Sequence, residues 1–273
     1  MARSSHWQTV PVLAALIQLA VTSDVEANMS ALAPLVGDAA RAGAQLVVLP
    51  EAAMHDFGVA GLELGPVAQT RDGIFGTFVA AQARQHAITL VAGMFEQSED
   101  PSRPFNTLLV ASRDDGVTHH YRKAHLYDSF GYRESDRLTP GDAKPVTVRL
   151  GDLTLGLMTC YDLRFPELSR ALVDEGADVL VVPAAWVRGP LKEDHWTTLL
   201  RARAIENTVY VLGAAQTGPA YVGRSAVIDP LGVTVASAGD EEAVVVADIT
   251  PGRITDVRRR NPSLVNRRLR PSS

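Results

Sequence analysis

An α/β fold built on mixed sheets is what this sequence predicts, and three patterns predict it. Apolar runs of strand length alternate with segments of helical period along most of the 273 residues. Two compact turn sequences, Asp114-Asp115-Gly116 and Pro230-Leu231-Gly232, mark hairpins among those crossovers. Several strands are apolar at every position, so their sheets need cover on both faces.

The elements follow in order. Residues 12–19 read as a first buried strand, and Thr22-Ser23-Asp24 as the cap of a helix over 25–42 that stops at Gly43. Residues 45–49 form a short apolar strand, ended by Pro50-Glu51. A helix over 76–86 leads to a strand over 88–95. Strands 107–112 and 117–122 flank the first hairpin turn. Residues 124–144 lack periodicity, and a loop of that length inside a compact domain is usually functional. Residues 153–159 make a strand that delivers Cys160 to its tip, and a helix begins at Arg164 and runs to Glu175. A strand over 178–182 is closed by Pro183. Residues 193–207 are helical and 209–215 extended. Strands 224–229 and 233–236 flank the second hairpin turn, and 243–249 is the last strand. No linker interrupts the pattern, so the expectation is one domain. Its core spans about 12–250, with a tail over 251–273.

Composition narrows the function. A net charge of −5 argues against nucleic acid as the main partner. The tail holds seven arginines and one aspartate, and is expected to pack on an acidic face of its own body or of a partner subunit. No run approaches the ~18 apolar residues of a membrane span. The apolar stretch 10–21 fails as a signal peptide, because Pro11 and Gln18 interrupt it and one arginine flanks it. A single cysteine excludes an intrachain disulfide and a cysteine-based zinc site. It fits a reducing, cytoplasmic setting. His119, His120 and His125 lie near Asp128, but their spacing is poor for metal, and no metal is expected.

Three ionisable residues share one context. Glu51, Lys123 and Cys160 each follow the end of a strand, where ligand and catalytic groups of α/β sheets collect. A thiol on a sharp turn before a helix N-terminus is exposed on one side and favoured as thiolate.

Leu49-Pro50-Glu51, Tyr121-Arg122-Lys123-Ala124-His125-Leu126 and Cys160-Tyr161-Asp162-Leu163-Arg164-Phe165-Pro166-Glu167 resemble the three signature blocks of the nitrilase superfamily of carbon–nitrogen hydrolases. Arg133-Glu134-Ser135, Pro140-Gly141, His195-Trp196 and Arg201-Ala202-Arg203-Ala204-Ile205-Glu206-Asn207 extend the likeness from about residue 12 to the tail. The nucleophile block is most similar to the branch of omega-amidases and deaminated glutathione amidases. Nitrilases proper usually carry Cys-Trp-Glu there. Trp186 stands where the omega-amidases usually carry a smaller aromatic, and the stretch between Lys123 and Glu134 is short, so the pocket is expected to depart from theirs.

The resemblance implies a four-layer α-β-β-α sandwich with two mixed sheets. It implies a triad of Glu51, Lys123 and Cys160, with Glu134 supporting the lysine, no cofactor, and a homodimer or larger assembly with the tail at its interface. The chemistry suits those residue types. A thiolate attacks an amide to form a thioester, Glu51 takes and returns the proton, and Lys123 with the Tyr161 backbone amide stabilises the oxyanion. The expected reaction hydrolyses a small, carboxylate-bearing amide to ammonia and an acid. N-carbamoyl amides are the alternative substrates, and a nonenzymatic scaffold is the alternative class. Phe57, Tyr132, Trp186 and Arg188 are candidate pocket residues, and Arg188 with Lys192 forms a candidate carboxylate clamp. Arg164 and Glu167 read as structural. A rival pairing of Cys160 with His55 or His125 would leave the Glu and Lys blocks as coincidences.

Overall fold

The computed structural model describes residues 10–58 and 62–269. In chain order the strands are β1 (Val12–Gln18), β2 (Leu46–Val48), β3 (Thr89–Glu96), β4 (Phe105–Ser112), β5 (Gly116–Arg122), β6 (Asp128–Ser129), β7 (Tyr132–Arg133), β8 (Thr147–Leu150), β9 (Leu153–Leu157), β10 (Val179–Ala184), β11 (Tyr210–Ala215), β12 (Ala226–Ile228), β13 (Thr234–Ser237) and β14 (Ala243–Ile249). The helices are α1 (Val25–Arg41), α2 (Ile74–His86), α3 (Pro166–Asp174), α4 (Lys192–Asn207), α5 (Pro251–Arg260) and α6 (Ser263–Asn266).

Two six-stranded sheets form, ordered β14-β1-β2-β3-β4-β5 and β13-β12-β11-β10-β9-β8. In the first, β1, β2 and β3 run parallel and the remaining pairs are antiparallel. In the second, β9, β10 and β11 run parallel between antiparallel neighbours. The sheets therefore repeat one plan: two helical crossovers, through α1 and α2 or α3 and α4, then two hairpin-linked strands.

Alternation along the strands makes the four layers. Ala15, Ile17, Val47 and Leu49 pack with Leu32, Val36, Phe75 and Val79 of α1 and α2. Their neighbours Ala14, Leu16, Leu46 and Val48 face the second sheet. The other face of that sheet is covered by Leu168 and Leu172 of α3 and by Trp196, Leu200 and Ala204 of α4. Every residue of β2 and β10 is buried, which is why both read as unbroken apolar runs.

Local signals set the boundaries. The Asp24 carboxylate caps α1 by accepting from the Ala27 N–H at 3.0 Å. Ala87 ends α2 in the left-handed region, at φ 55°.

Four elements depart from the sequence reading. Pro183 lies within β10 rather than closing it. Its missing N–H faces the side where β9 has already ended, so no ladder bond is lost. Strand β8 is short, buries only Val148 and carries Arg149, so its pattern was too weak to read. Within the loop over 124–144, β6 and β7 form a small hairpin. The tail is helical: α5 buries Ile254 and Val257 against the body. Arg253 pairs with Asp229 at 2.6 Å, Arg258 with Asp178 at 3.0 Å and Arg267 with Asp174 at 2.6 Å. The expected acidic face is thus on the same chain, while Arg270 lies outside the described residues.

Candidate active site

The parallel strands of both sheets end at one place, and the ionisable groups sit there. Glu51 follows β2 by way of Leu49 and Pro50. The next residue, Ala52, takes a left-handed φ of 52°, which turns the chain sharply. That turn presses on β3 at Gly93, where a Cβ would stand 2.5 Å from the Ala52 nitrogen.

The Glu51 side chain is buried and hydrogen-bonded at both oxygens. Oε1 accepts from Asn106 Nδ2 at 2.7 Å and from Lys123 Nζ at 3.0 Å. Oε2 accepts from the Ala185 N–H at 2.6 Å. The Glu51 carbonyl accepts from Gln216 Nε2 at 2.8 Å.

Lys123 leaves the end of β5, and its backbone N–H donates to the Asn106 carbonyl at 2.8 Å. Its ammonium is 2% exposed and also donates to both oxygens of Glu134 at 2.9 Å. Burial opposes that charge, but Glu134 and Glu51 outweigh it and hold the ammonium well above the usual lysine range. Glu134 opens a short 3-10 turn and is fixed by its backbone bond to the Tyr127 carbonyl.

Cys160 stands at a bend between β9 and α3 with a left-handed φ of 47°. It opens a 3-10 turn, Cys160–Arg164, that precedes α3. A cysteine holds this strained conformation only where its surroundings over-determine it. Asp162 does so. Its fully buried carboxylate accepts from the Thr159 N–H at 2.9 Å, the Tyr121 hydroxyl at 2.7 Å and the His125 N–H at 3.0 Å. His125 Nδ1 lies 2.7 Å from the same carboxylate, and its ring stacks on Phe165 at 3.8 Å.

The thiol itself corrects one expectation. It is buried rather than exposed, and burial and the Glu51 carboxylate push its pKa well up, with Lys123 only partly offsetting them. Burial thus works against the thiolate that the turn before a helix was expected to favour, and a neighbouring base would offset it.

A cavity of about 460 Å³ opens over these groups, within the range of small-molecule sites. Glu51, Lys123, Glu134 and Cys160 line it together with Tyr161, Phe57, Tyr132, Trp186, Arg188 and Lys192, so the structure brings these ten sequence candidates to one cavity. Neither His55 nor His125 lines it, and His125 is engaged by Asp162. Among the described residues no group of three His, Cys, Asp or Glu side chains is placed to hold a metal. Arg164 lies behind the wall, with a guanidinium N 3.2 Å from His195 Nδ1.

Sequence reasoning missed several contributors. Asn106 of β4, and Ala185 and Gln216 just past the ends of β10 and β11, grip Glu51. Arg137 donates to the Phe57 carbonyl at 2.6 Å, the Leu62 carbonyl at 2.8 Å and the Tyr132 hydroxyl at 2.7 Å, tying two rim loops together. Phe130 and Tyr221 complete the walls. Strand register alone connects Asn106 to Glu51, and no local motif announces it.

A buried carboxylate, an ammonium and a thiol converge under a largely apolar cavity, a set of groups able to serve acyl transfer through sulfur. The chain matches the model of the carbon–nitrogen hydrolase family over residues 13–259. It is 42% identical to the deaminated glutathione amidase of Escherichia coli O157:H7, over 95% of this chain and 98% of the relative. It is 34% identical to omega-amidase NIT2 of Mus musculus, over 93% and 94%. The solved structure of XC1258 from Xanthomonas campestris, a CN-hydrolase superfamily protein with an arsenic adduct in its active site, superposes with a TM-score of 0.87 at 28% identity, over 97% of this chain and all of that one. The chain belongs to the carbon–nitrogen hydrolase family, the nitrilase superfamily whose signature blocks its sequence carries, and is a hydrolase acting on carbon–nitrogen bonds other than peptide bonds.

Proposed function

We propose that this protein hydrolyses a small, carboxylate-bearing amide through a thioester on Cys160. The observation that carries this reading is the convergence of Glu51 and Lys123 on the cavity that Cys160 lines. Glu51 takes the thiol proton as sulfur attacks the amide carbon, and the C–S bond forms while the carbonyl π pair moves to oxygen. The Lys123 ammonium and the Tyr161 N–H, early in the 3-10 turn and free of an intrahelical acceptor, stabilise that oxyanion. As the pair returns, the C–N bond breaks, and Glu51 gives its proton to the departing nitrogen. Glu51 then takes a proton from water, whose oxygen attacks the thioester. The second collapse breaks C–S, frees the acid and returns the proton to sulfur. These steps use three side chains, one backbone N–H and water.

The relatives named for deaminated glutathione and omega-amides support an acidic amide, and so does Lys192 in the wall. The catalytic unit is assigned to about residues 12–250, and residues 251–273 to a subunit interface in a homodimer or larger assembly. A cytoplasmic location suits a thiol that must stay reduced. Among the described residues no helix is long and apolar enough to cross a membrane.

The test is amine or ammonia release from deaminated glutathione, 2-oxoglutaramate, 2-oxosuccinamate, N-carbamoyl amino acids and simple aliphatic amides. Turnover of an acidic amide is expected. Cys160→Ala should abolish it, and Glu51→Gln and Lys123→Met should lower kcat by about 10³-fold or more with the fold intact. Full activity in any of the three, or turnover of neutral amides only, refutes the reading.

A further inference from the structure

Three cations line the cavity, and their surroundings differ. Lys123 is neutralised by Glu51 and Glu134. Arg188 lies 3.8 Å from both Glu193 and Asp240, and its Nε donates to the Gly218 carbonyl at 3.2 Å. Lys192 has no carboxylate within 4.0 Å among the described residues. It is nevertheless buried, at 6% exposure. Its Nζ donates to the Tyr127 hydroxyl at 2.8 Å. It sits 4.7 Å from the Tyr127 ring centroid, 4.6 Å from that of Phe130 and 5.6 Å from that of Trp186.

Taking an ammonium out of water without a counter-ion is costly. Ring faces return part of that cost, and one phenol oxygen satisfies one of three N–H donors. Burial and the nearby Arg164 charge pull the Lys192 pKa down, as expected of a cation short of negative partners. Backbone geometry supports the placement. Leu191 adopts a left-handed φ of 59° immediately before Lys192, and the Trp186 indole N–H donates to the Lys192 carbonyl at 2.9 Å. The side chain is thus aimed into the cavity by a fixed backbone, and the oxyanion chemistry assigned to Lys123 leaves it without a catalytic task.

We propose that Lys192 reads the substrate: the carboxylate of the amide seats on its ammonium, between the Tyr127 and Trp186 rings, and supplies the missing counter-ion. This rests on the amidase reading and names the residue that sets its substrate class. Arg188, paired with Glu193 and Asp240, is a rim residue and not the reader.

The experiment compares wild type with Lys192→Met and Lys192→Arg in two ways. The first is the ratio of kcat/KM for 2-oxoglutaramate over the neutral amide pentanamide. Lys192→Met is expected to lower that ratio about 10- to 100-fold, mostly through KM, as for loss of a charge-assisted hydrogen bond, and Lys192→Arg should restore much of it. The second needs no turnover: glutarate should slow iodoacetamide alkylation of Cys160 in wild type and in Lys192→Arg, but not in Lys192→Met. An unchanged ratio with unchanged protection overturns the proposal, as does an equal loss on both amides. Lys192-dependent protection in an enzyme that cleaves no amide would keep the carboxylate site and refute the amidase reading.

Discussion

Cys160 has its nucleophile role only by virtue of its neighbours. Burial and the Glu51 charge push its thiol pKa up, which makes Glu51, the proposed base, the group its reactivity rests on. The position of that base depends on a residue with no side chain. A Cβ at Gly93 would stand 3.0 Å from the Glu51 Cα and closer still to the Ala52 nitrogen, and both are backbone atoms that cannot swing aside. Gly93→Ala is therefore expected to displace Glu51, lowering kcat by about 10²-fold with a smaller change in KM. Steady-state kinetics checks this, and an unaltered kcat would show that the turn has room. Glu51, Lys123 and Cys160 were legible because each follows a strand end and stands in a block that resembles a family signature; Glu51 and Cys160 follow apolar runs, Lys123 the polar strand β5. Gly93 was not, since it sits mid-strand in β3 and its constraint comes from a loop about forty residues earlier in sequence.

Among elements, the β3–β4–β5 edge of the first sheet carries a buried carboxylate with a separate duty. Glu96 accepts from Thr107 at 2.8 Å and from Arg122 at 2.7 and 3.0 Å, and Arg71 lies 3.0 Å away. Burial raises its pKa, but the Arg122 and Thr107 hydrogen bonds outweigh burial and hold it below 4.5. The stability this adds is present above the unfolded value and is lost as pH falls through the lowered one. Glu96→Gln should thus cost about 2 kcal/mol at pH 7, some 4–8 °C in Tm, with the gap to wild type closing as pH drops below the ordinary glutamate range. Thermal unfolding at several pH values tests it, and a gap independent of pH would contradict it. Helix and strand positions were largely visible in the sequence. Strand β8 and the β6–β7 hairpin were not, because two to four residues are too few for periodicity and their pairing is decided by distant partners.

For the whole molecule, the repeated plan of the two sheets places both sets of parallel strand ends at one seam, which a linear reading of alternating elements cannot show. The arginine-rich segment is anchored to its own body by Ile254, Val257 and three ion pairs, yet Val265 and Leu269 stand 81% and 90% exposed. Large apolar side chains presented this way fit the assigned subunit interface. Light scattering is expected to give at least twice the 29.3 kDa chain mass. Val265→Asp with Leu269→Asp should shift the protein toward monomer, and a monomeric wild type would remove the interface.

The hydrogen bonds on Glu51 have one more consequence. Asn106 and Lys123 come from the side of the first sheet, Ala185 and Gln216 from that of the second, so the proposed base is seated only once the halves have closed. A nascent chain delivers Glu51 and Lys123 early and Cys160 thirty-seven residues later. Until the seam shuts, its cysteine has no proton acceptor beside it. With the roles proposed for these residues, the site is an interlock: its acyl-transfer chemistry would begin only when folding is complete, and an unfinished molecule would stay chemically quiet.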